Sequence, residues 1–406
     1  MRRRAFLKLA AAGTLGWRST AWGWAARATA PGPRLAVVFL RGAADGLNVV
    51  VPYTEDEYHE YRPTIALAQP GGRGGVLDLD GRFGLHPALS PLLDLWRRRE
   101  LAFVHACGSP DPDRSHFEAQ AYMETATPGV RTTRSGWLNR LAAALDLRHA
   151  AQTVAFGANE PLIVRGPAPT TTFPAGRGAL RPQPLDRDPV RRAFDPLYRD
   201  DPRLGEIYAE ALHTRATLLA AARREGADAD NGAGDPAGFP GDAERAGRIM
   251  AGDRHLRLVF FSLGGWDTHV DEGAAQGTLA ARLAPLGRGL MALRAALGRS
   301  WRETVVLVVS EFGRTAHENG NRGTDHGHGN VHWVLGGAVR GGRVYGTWPG
   351  LAESALYQGR DLAVTTDFRS VIDVLLANHL GLSPHARERV LPGFGRGHKG
   401  LDGLLA

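Results

Sequence analysis

The chain has 406 residues, 43% of them hydrophobic and 22% charged, enough to bury one large core or two smaller ones. Its net charge of +7 comes from 49 basic and 42 acidic side chains, but residues 1–30 hold six of the basic ones (Arg2, Arg3, Arg4, Lys8, Arg18, Arg27) and no acidic one, leaving 43 against 42. A balance that even excludes a dedicated nucleic-acid surface, and the single cysteine, Cys107, excludes an internal disulfide.

In chain order, Arg3-Arg4-Ala5-Phe6-Leu7-Lys8 reads as the twin-arginine n-region of an export signal over residues 1–30. A short apolar stretch follows, then small residues at Ala26, Ala28 and Ala30 that offer cleavage sites. The stretch is too short to span a membrane, and no later segment is long and apolar enough either. The expected location is therefore periplasmic or secreted, with the twin-arginine translocase as a partner during export.

Strands are expected at 35–40, 101–107, 153–156, 162–164, 256–263, 304–309 and 331–335. Helices are expected at 87–99, 116–125, 137–147, 279–297 and 367–380. Between 181 and about 241 the chain turns Pro- and Asp-rich, with one helix near 204–224 and a Gly/Asp-rich string that reads as a flexible loop. The ligand-type residues lie on both sides of this stretch. This predicts one α/β domain over 31–406 carrying an insert at about 181–241.

Three apolar strands run directly into acidic or histidine residues. Asp45 follows the first in RGAADG; Asp267 and His269 follow another in GGWDTH; Glu311 follows a third in SEFGRT, with Asp325, His326 and His328 beyond it in TDHGHG. Carboxylates and imidazoles gathered at strand C-termini are the donors a metal site in an α/β sheet is built from. The donor set suits a divalent ion, zinc, manganese or calcium, with room for one or two. Asp45 taken alone reads as an Asp-Gly turn residue with an Asx cap, and its place after the first strand with the donors downstream makes it a ligand candidate. Ser115, ahead of a helix, reads either as a nucleophile at a helix N-terminus or, with Glu118, as a capping box. Arg41, Arg114 and Arg314 each flank a ligand candidate; they either bind a substrate anion or pair with the carboxylates beside them.

RRRAFLKLAAAG, VVFLRGAADGLNVVVPY, GRFGLHPAL, SHFEAQAYMETATPG, GWDTH, SEFGRTAHENG, GTDHGHG and VTTDFRSVIDVLLANHLGL together resemble an exported bacterial family, domain of unknown function 1501. The resemblance covers nearly the whole chain. It implies an alkaline-phosphatase-like fold, a central, mostly parallel sheet flanked by helices on both faces, with two metal ions. On that resemblance Asp45, Ser115, Asp267 and His269 match the early Asp, the nucleophile and an Asp with its His. Glu311 stands where an Asp-His pair is expected, and His326 or His328 resembles the late His. The Asp and His of GWDTH are closer together than in the superfamily, and Phe312 follows Glu311 where a His is expected, so one metal site is expected to be altered or absent. The implied activity is metal-dependent hydrolysis or transfer of a phosphate or sulfate ester, small molecule or glycan, through Ser115. The alternative is an exported binding or assembly protein that keeps the fold without turnover.

Overall fold

The computed structural model describes residues 32–157, 160–173, 188–199, 208, 236–395, 397 and 400–405. The export signal expected over 1–30 lies outside the described residues. So does most of the expected insert, including the helix near 204–224 save Tyr208.

Seven consecutive buried residues make β1 (Arg34–Leu40) the middle of a nine-stranded sheet. The others are β2 (Leu101–Gly108), β3 (Thr153–Phe156), β4 (Thr171–Phe173), β5 (Leu258–Leu263), β6 (Thr304–Ser310), β7 (Asn330–Gly336), β8 (Arg343–Tyr345) and β9 (Thr366–Asp367). Their order is β8-β2-β7-β6-β1-β5-β3-β4, with β9 beside β2. All pairings are parallel except those of β7, which runs against both β6 and β2.

Side chains alternate across a strand, so a run buried at every position must be covered on both faces. Ala36, Val38 and Leu40 of β1 enter one core with the helices Phe239–Gly252 and Thr278–Leu297. Leu35, Val37 and Phe39 enter the other with Trp137–Ala144 and Phe368–Val374. Each fully buried large apolar side chain contributes roughly 1.5–3 kcal/mol, so the sheet centre is the rigid platform of the fold. The protein is thus a mixed α/β fold with a mostly parallel central sheet. No helix among the described residues is long and apolar enough to cross a membrane. Cys107 is a free, buried thiol on β2.

The strand expected at 162–164 is instead a 3-10 turn, Leu162–Val164. Its backbone has no sheet neighbour: Val164 N–H bonds back to Pro161, and the Ile163 amide donates to the Glu124 carboxylate at 3.2 Å. The helix expected at 87–99 begins as a 3-10 segment, Pro87–Leu92, and becomes α-helical at Leu93–Arg97. The helix Phe239–Gly252 starts inside what composition marks as loop, with Pro240 in its first turn, where a missing N–H costs nothing.

Candidate metal centre

The parallel strands β1, β2, β5 and β6 all end at one edge of the sheet, and the loops leaving them carry the site. Gly42, after β1, has φ of +114°, and a side chain there would meet the Asp267 amide at 2.7 Å. Only glycine lets the first loop lie against the third. Gly323 does the same within the last loop, where a Cβ would come within 2.4 Å of the His269 backbone.

Three imidazoles meet there. His116 opens the helix His116–Thr125 beyond β2. His269 follows β5, and His326 lies between β6 and β7. His116 Nε2 is 2.9 Å from His326 Nε2, which is 3.0 Å from His269 Nε2. Asp267 Oδ1 lies 3.0 Å from His269 Nε2, 3.4 Å from His326 Nε2 and 3.5 Å from His116 Nε2. The donor atoms of His116, Asp267 and His326 all fall within 4.8 Å of one another.

The opposite side of each ring faces an acceptor. His116 Nδ1 faces Glu311 Oε1 at 2.8 Å, His326 Nδ1 faces the Arg114 carbonyl at 3.0 Å, and His269 Nδ1 faces Asp325 Oδ1 at 3.0 Å. Carbonyls and ionised carboxylates only accept, so each of these contacts places a proton on Nδ1, and a ring that carries no second proton turns an Nε2 lone pair toward the other two rings and Asp267 Oδ1. Both carboxylates are ionised. Burial opposes charge on Glu311, but hydrogen bonds from His116, Gln120 and the Gly42 amide hold its carboxyl below the usual range. Asp325 is likewise held down, against desolvation, by Asn319 and His269. On Asp267 burial is outweighed by the Arg314 guanidinium, 2.5 Å away. The hydrogen bond to Glu311 raises the His116 pKa, while burial and the facing His116 lower that of His326.

Lone pairs and a carboxylate oxygen aimed at one point repel unless a cation lies among them. A tetrahedral zinc ion separates its donors by about 3.3 Å, from metal–nitrogen distances of about 2.0–2.1 Å. The separations of 2.9–3.5 Å found here bracket that value. Nitrogen-rich donors fit zinc better than calcium, which takes six to eight oxygens.

Of the residues singled out by sequence, Asp267, His269 and His326 converge, with Glu311 and Asp325 directly behind the rings. Asp45 and His328 do not join them. Asp45 is fully buried and paired to Arg62, also fully buried, and it caps its own short helix through the Leu47 amide. That pairing keeps its carboxyl ionised in spite of burial. His328 stacks on Tyr357, ring centroids 4.7 Å apart. His116 is the residue sequence reading missed. It hides inside a string that reads as a capping box, yet the box is not formed: Ser115 makes no side-chain cap, its amide bonds to Asp113, and Glu118 pairs with Arg131.

The three arginines are all engaged by the protein. Arg41 holds Ser262, Gln120 and Glu124, and Arg114 holds Asp361 and Gln358. Arg314 is buried and gives its guanidinium to Asp267 and to the carbonyls of Gly42, Ala43, Trp266 and Thr324. Of the two sequence alternatives, the geometry is that of pairing within the fold, and Arg314 is the strut joining three of the site's loops.

No match to this chain is found among curated proteins. Among solved structures it is similar to the C-terminal periplasmic domain of EcEptC from Escherichia coli, in complex with Zn: 8% identity, TM-score 0.38, covering 75% of this chain and 73% of that one. A protein in the alkaline phosphatase superfamily from Vibrio parahaemolyticus matches at 9% identity and TM-score 0.38, over 75% and 60%. The lipoteichoic acid synthase LtaP from Listeria monocytogenes matches at 9% and 0.35, over 75% and 65%. The sequence itself matches the family described as protein of unknown function (DUF1501) over residues 33–391, and the chain belongs to that family.

Proposed function

We propose that this protein is an exported, metal-dependent hydrolase or transferase of phosphate or sulfate esters. The observation that carries the reading is the set of Nε2 lone pairs converging with Asp267 Oδ1, each ring fixed from behind by an acceptor. His116, Asp267 and His326 would hold the ion, with His269 as the adjoining fourth donor. When bound, such an ion supplies Lewis-acid polarisation of an ester oxygen. Ser115 is exposed and adjoins His116, and its hydroxyl takes no capping bond, so it is free to act as nucleophile. Phe117, 81% exposed, and Val270, 57% exposed, each follow a proposed ligand and give the site an apolar rim. A substrate with a flat or apolar group beside its anionic ester fits that rim.

Protein purified without chelators is expected to contain about one equivalent of zinc or manganese, lost in His326→Ala. It is expected to hydrolyse p-nitrophenyl phosphate or sulfate. Ser115→Ala should abolish that turnover without lowering the melting temperature, since no cap is lost. A variant that hydrolyses at the wild-type rate removes Ser115 as nucleophile. A second reading, an exported metal-binding protein without turnover, draws on one observation: a single donor group of this kind occurs among the described residues. Bound metal with no ester hydrolysis would decide for it.

Export by the twin-arginine route belongs to the same proposal. Replacing Arg3 and Arg4 with lysines is expected to retain the protein in the cytoplasm, read by cell fractionation. Undiminished export of that variant removes the assignment.

A further inference from the structure

At the other edge of the sheet, where β2 begins and β7 ends, lies a second built feature: a cleft of about 820 Å³. The eight residues of β2 separate it from the metal centre by roughly 25 Å, at about 3.3 Å per residue. Its walls include Arg98, Arg99, Arg340, Arg343 and Tyr345.

Close backbone packing makes the cleft. Gly341 donates to the Arg99 carbonyl at 2.9 Å and Gly342 to that of Leu101 at 2.8 Å. A side chain on Gly341 would strike the Leu101 carbonyl oxygen at 2.1 Å. On the far side the C-terminal segment ties down the same loop: the Arg340 amide bonds to Leu404, and the Tyr345 hydroxyl donates to the Arg340 carbonyl at 2.7 Å. The arginine-bearing loop is therefore held from both sides.

Three of the positive charges on the walls are uncompensated. Arg98 pairs with Asp94, and Glu100 is taken by Arg294 and Trp301. Among the described residues Arg99, Arg340 and Arg343 have no ion-pair partner, and Arg343 rests over the Tyr345 ring at 5.2 Å. Asp402 is the one carboxylate on the lining not already engaged. Three exposed arginines with no carboxylate partner line one concavity, and each guanidinium fork matches two oxygens of a phosphate or sulfate.

We propose that this cleft is a binding site for a small molecule carrying two or more phosphate or sulfate groups, separate from the metal centre. The volume suits a ligand of that size, within the roughly 300–1,000 Å³ usual for small-molecule sites.

Calorimetric titration of the purified full chain tests it, with inorganic pyrophosphate in one arm and a disulfated disaccharide in the other to separate a phosphate from a sulfate source. A saturable site that persists when the metal centre is removed is expected in at least one arm. Arg340→Ala/Arg343→Ala should weaken it at least tenfold with an unchanged melting temperature, while His116→Ala/His326→Ala leaves it unchanged. Four results would overturn the proposal. They are absence of saturable binding in both arms, unaltered affinity in the arginine variant, loss in the histidine variant, or binding of a tetraglutamate peptide where neither small anion binds. The last would assign the cleft to an acidic protein segment.

Discussion

Arg62→Met is expected to destabilise the protein by about 3–5 kcal/mol, because it strands a charge where no water reaches. Arg62 is fully buried and bonds not only to Asp45 but to Asn48 at 2.9 Å and to the carbonyls of Thr315 and Ala316 at 2.8 and 2.9 Å. The loop from β6 to β7, which brings His326 to the site, is thus anchored from below by this one guanidinium. Beside the pair lies Glu272, fully buried, accepting from Asn48, Thr268 and Thr324. Burial and the Asp45 charge raise its pKa well above the usual carboxyl range.

The pH dependence follows from these directions. Asp45 has a lowered folded pKa, so its contribution is present above its ordinary value of 3.8 and is lost as pH falls through the folded value. Glu272 is the reverse: its raised pKa means stability falls as pH climbs above 4.5. Without Arg62, burial turns Asp45 into a second group of the Glu272 kind. Denaturant titrations of Arg62→Met should therefore show stability rising on acidification from pH 8 to pH 5, more steeply than in wild type. Asp45→Asn/Arg62→Met, with neither charge of the pair left, should recover much of the loss. If the single and double variants lose equally, the cost is one of packing and not of the stranded carboxylate.

How much of this was legible in the sequence depends on whether the partner lies nearby along the chain. Arg34–Leu40 and Thr304–Ser310 are apolar runs buried at every position, and such runs declare a doubly covered sheet without any tertiary knowledge. The C-terminal ends of Thr304–Ser310 and of the apolar strand Leu258–Leu263 then mark the loops with Asp267, His269, Glu311 and His326. What a strand end does not reveal is the counter-ion. Asp45, flanked by glycine, reads alike whether a metal or Arg62 neutralises it, and Arg62 lies in a stretch with no periodicity to single it out. Whether a carboxylate binds metal or backs a histidine is equally silent: Glu311 and Asp325 face Nδ1 atoms, a matter of ångströms between loops. His116 carried one usable signal, an imidazole at the first position of a helix just beyond a strand, but its neighbours Ser115 and Glu118 gave a complete local explanation of the same string. Gln120, one turn further on, completes the clamp on Glu311 at 2.9 Å.

The last expectation isolates that clamp. Glu311→Gln should lower affinity for zinc about 10- to 100-fold while leaving the fold intact, as loss of a carboxylate behind a ligating histidine does. Glu311 Oε1 accepts from three donors at once, Gly42 N–H at 2.8 Å, His116 Nδ1 at 2.8 Å and Gln120 Nε2 at 2.9 Å. An amide oxygen can occupy the same place and keep the ring oriented, but it brings no negative charge to make the imidazole more basic. Asp325→Asn removes the equivalent partner of His269, and its effect should be smaller, because the Asp325 side chain is 56% exposed and water screens its charge. Competition against a chromogenic chelator measures both affinities, with thermal melting of the metal-free proteins as the control for folding. The order expected is Glu311→Gln weaker than Asp325→Asn, and both weaker than wild type. Equal affinities in all three proteins would reduce the two carboxylates to loop struts and leave the histidine tautomers without a cause.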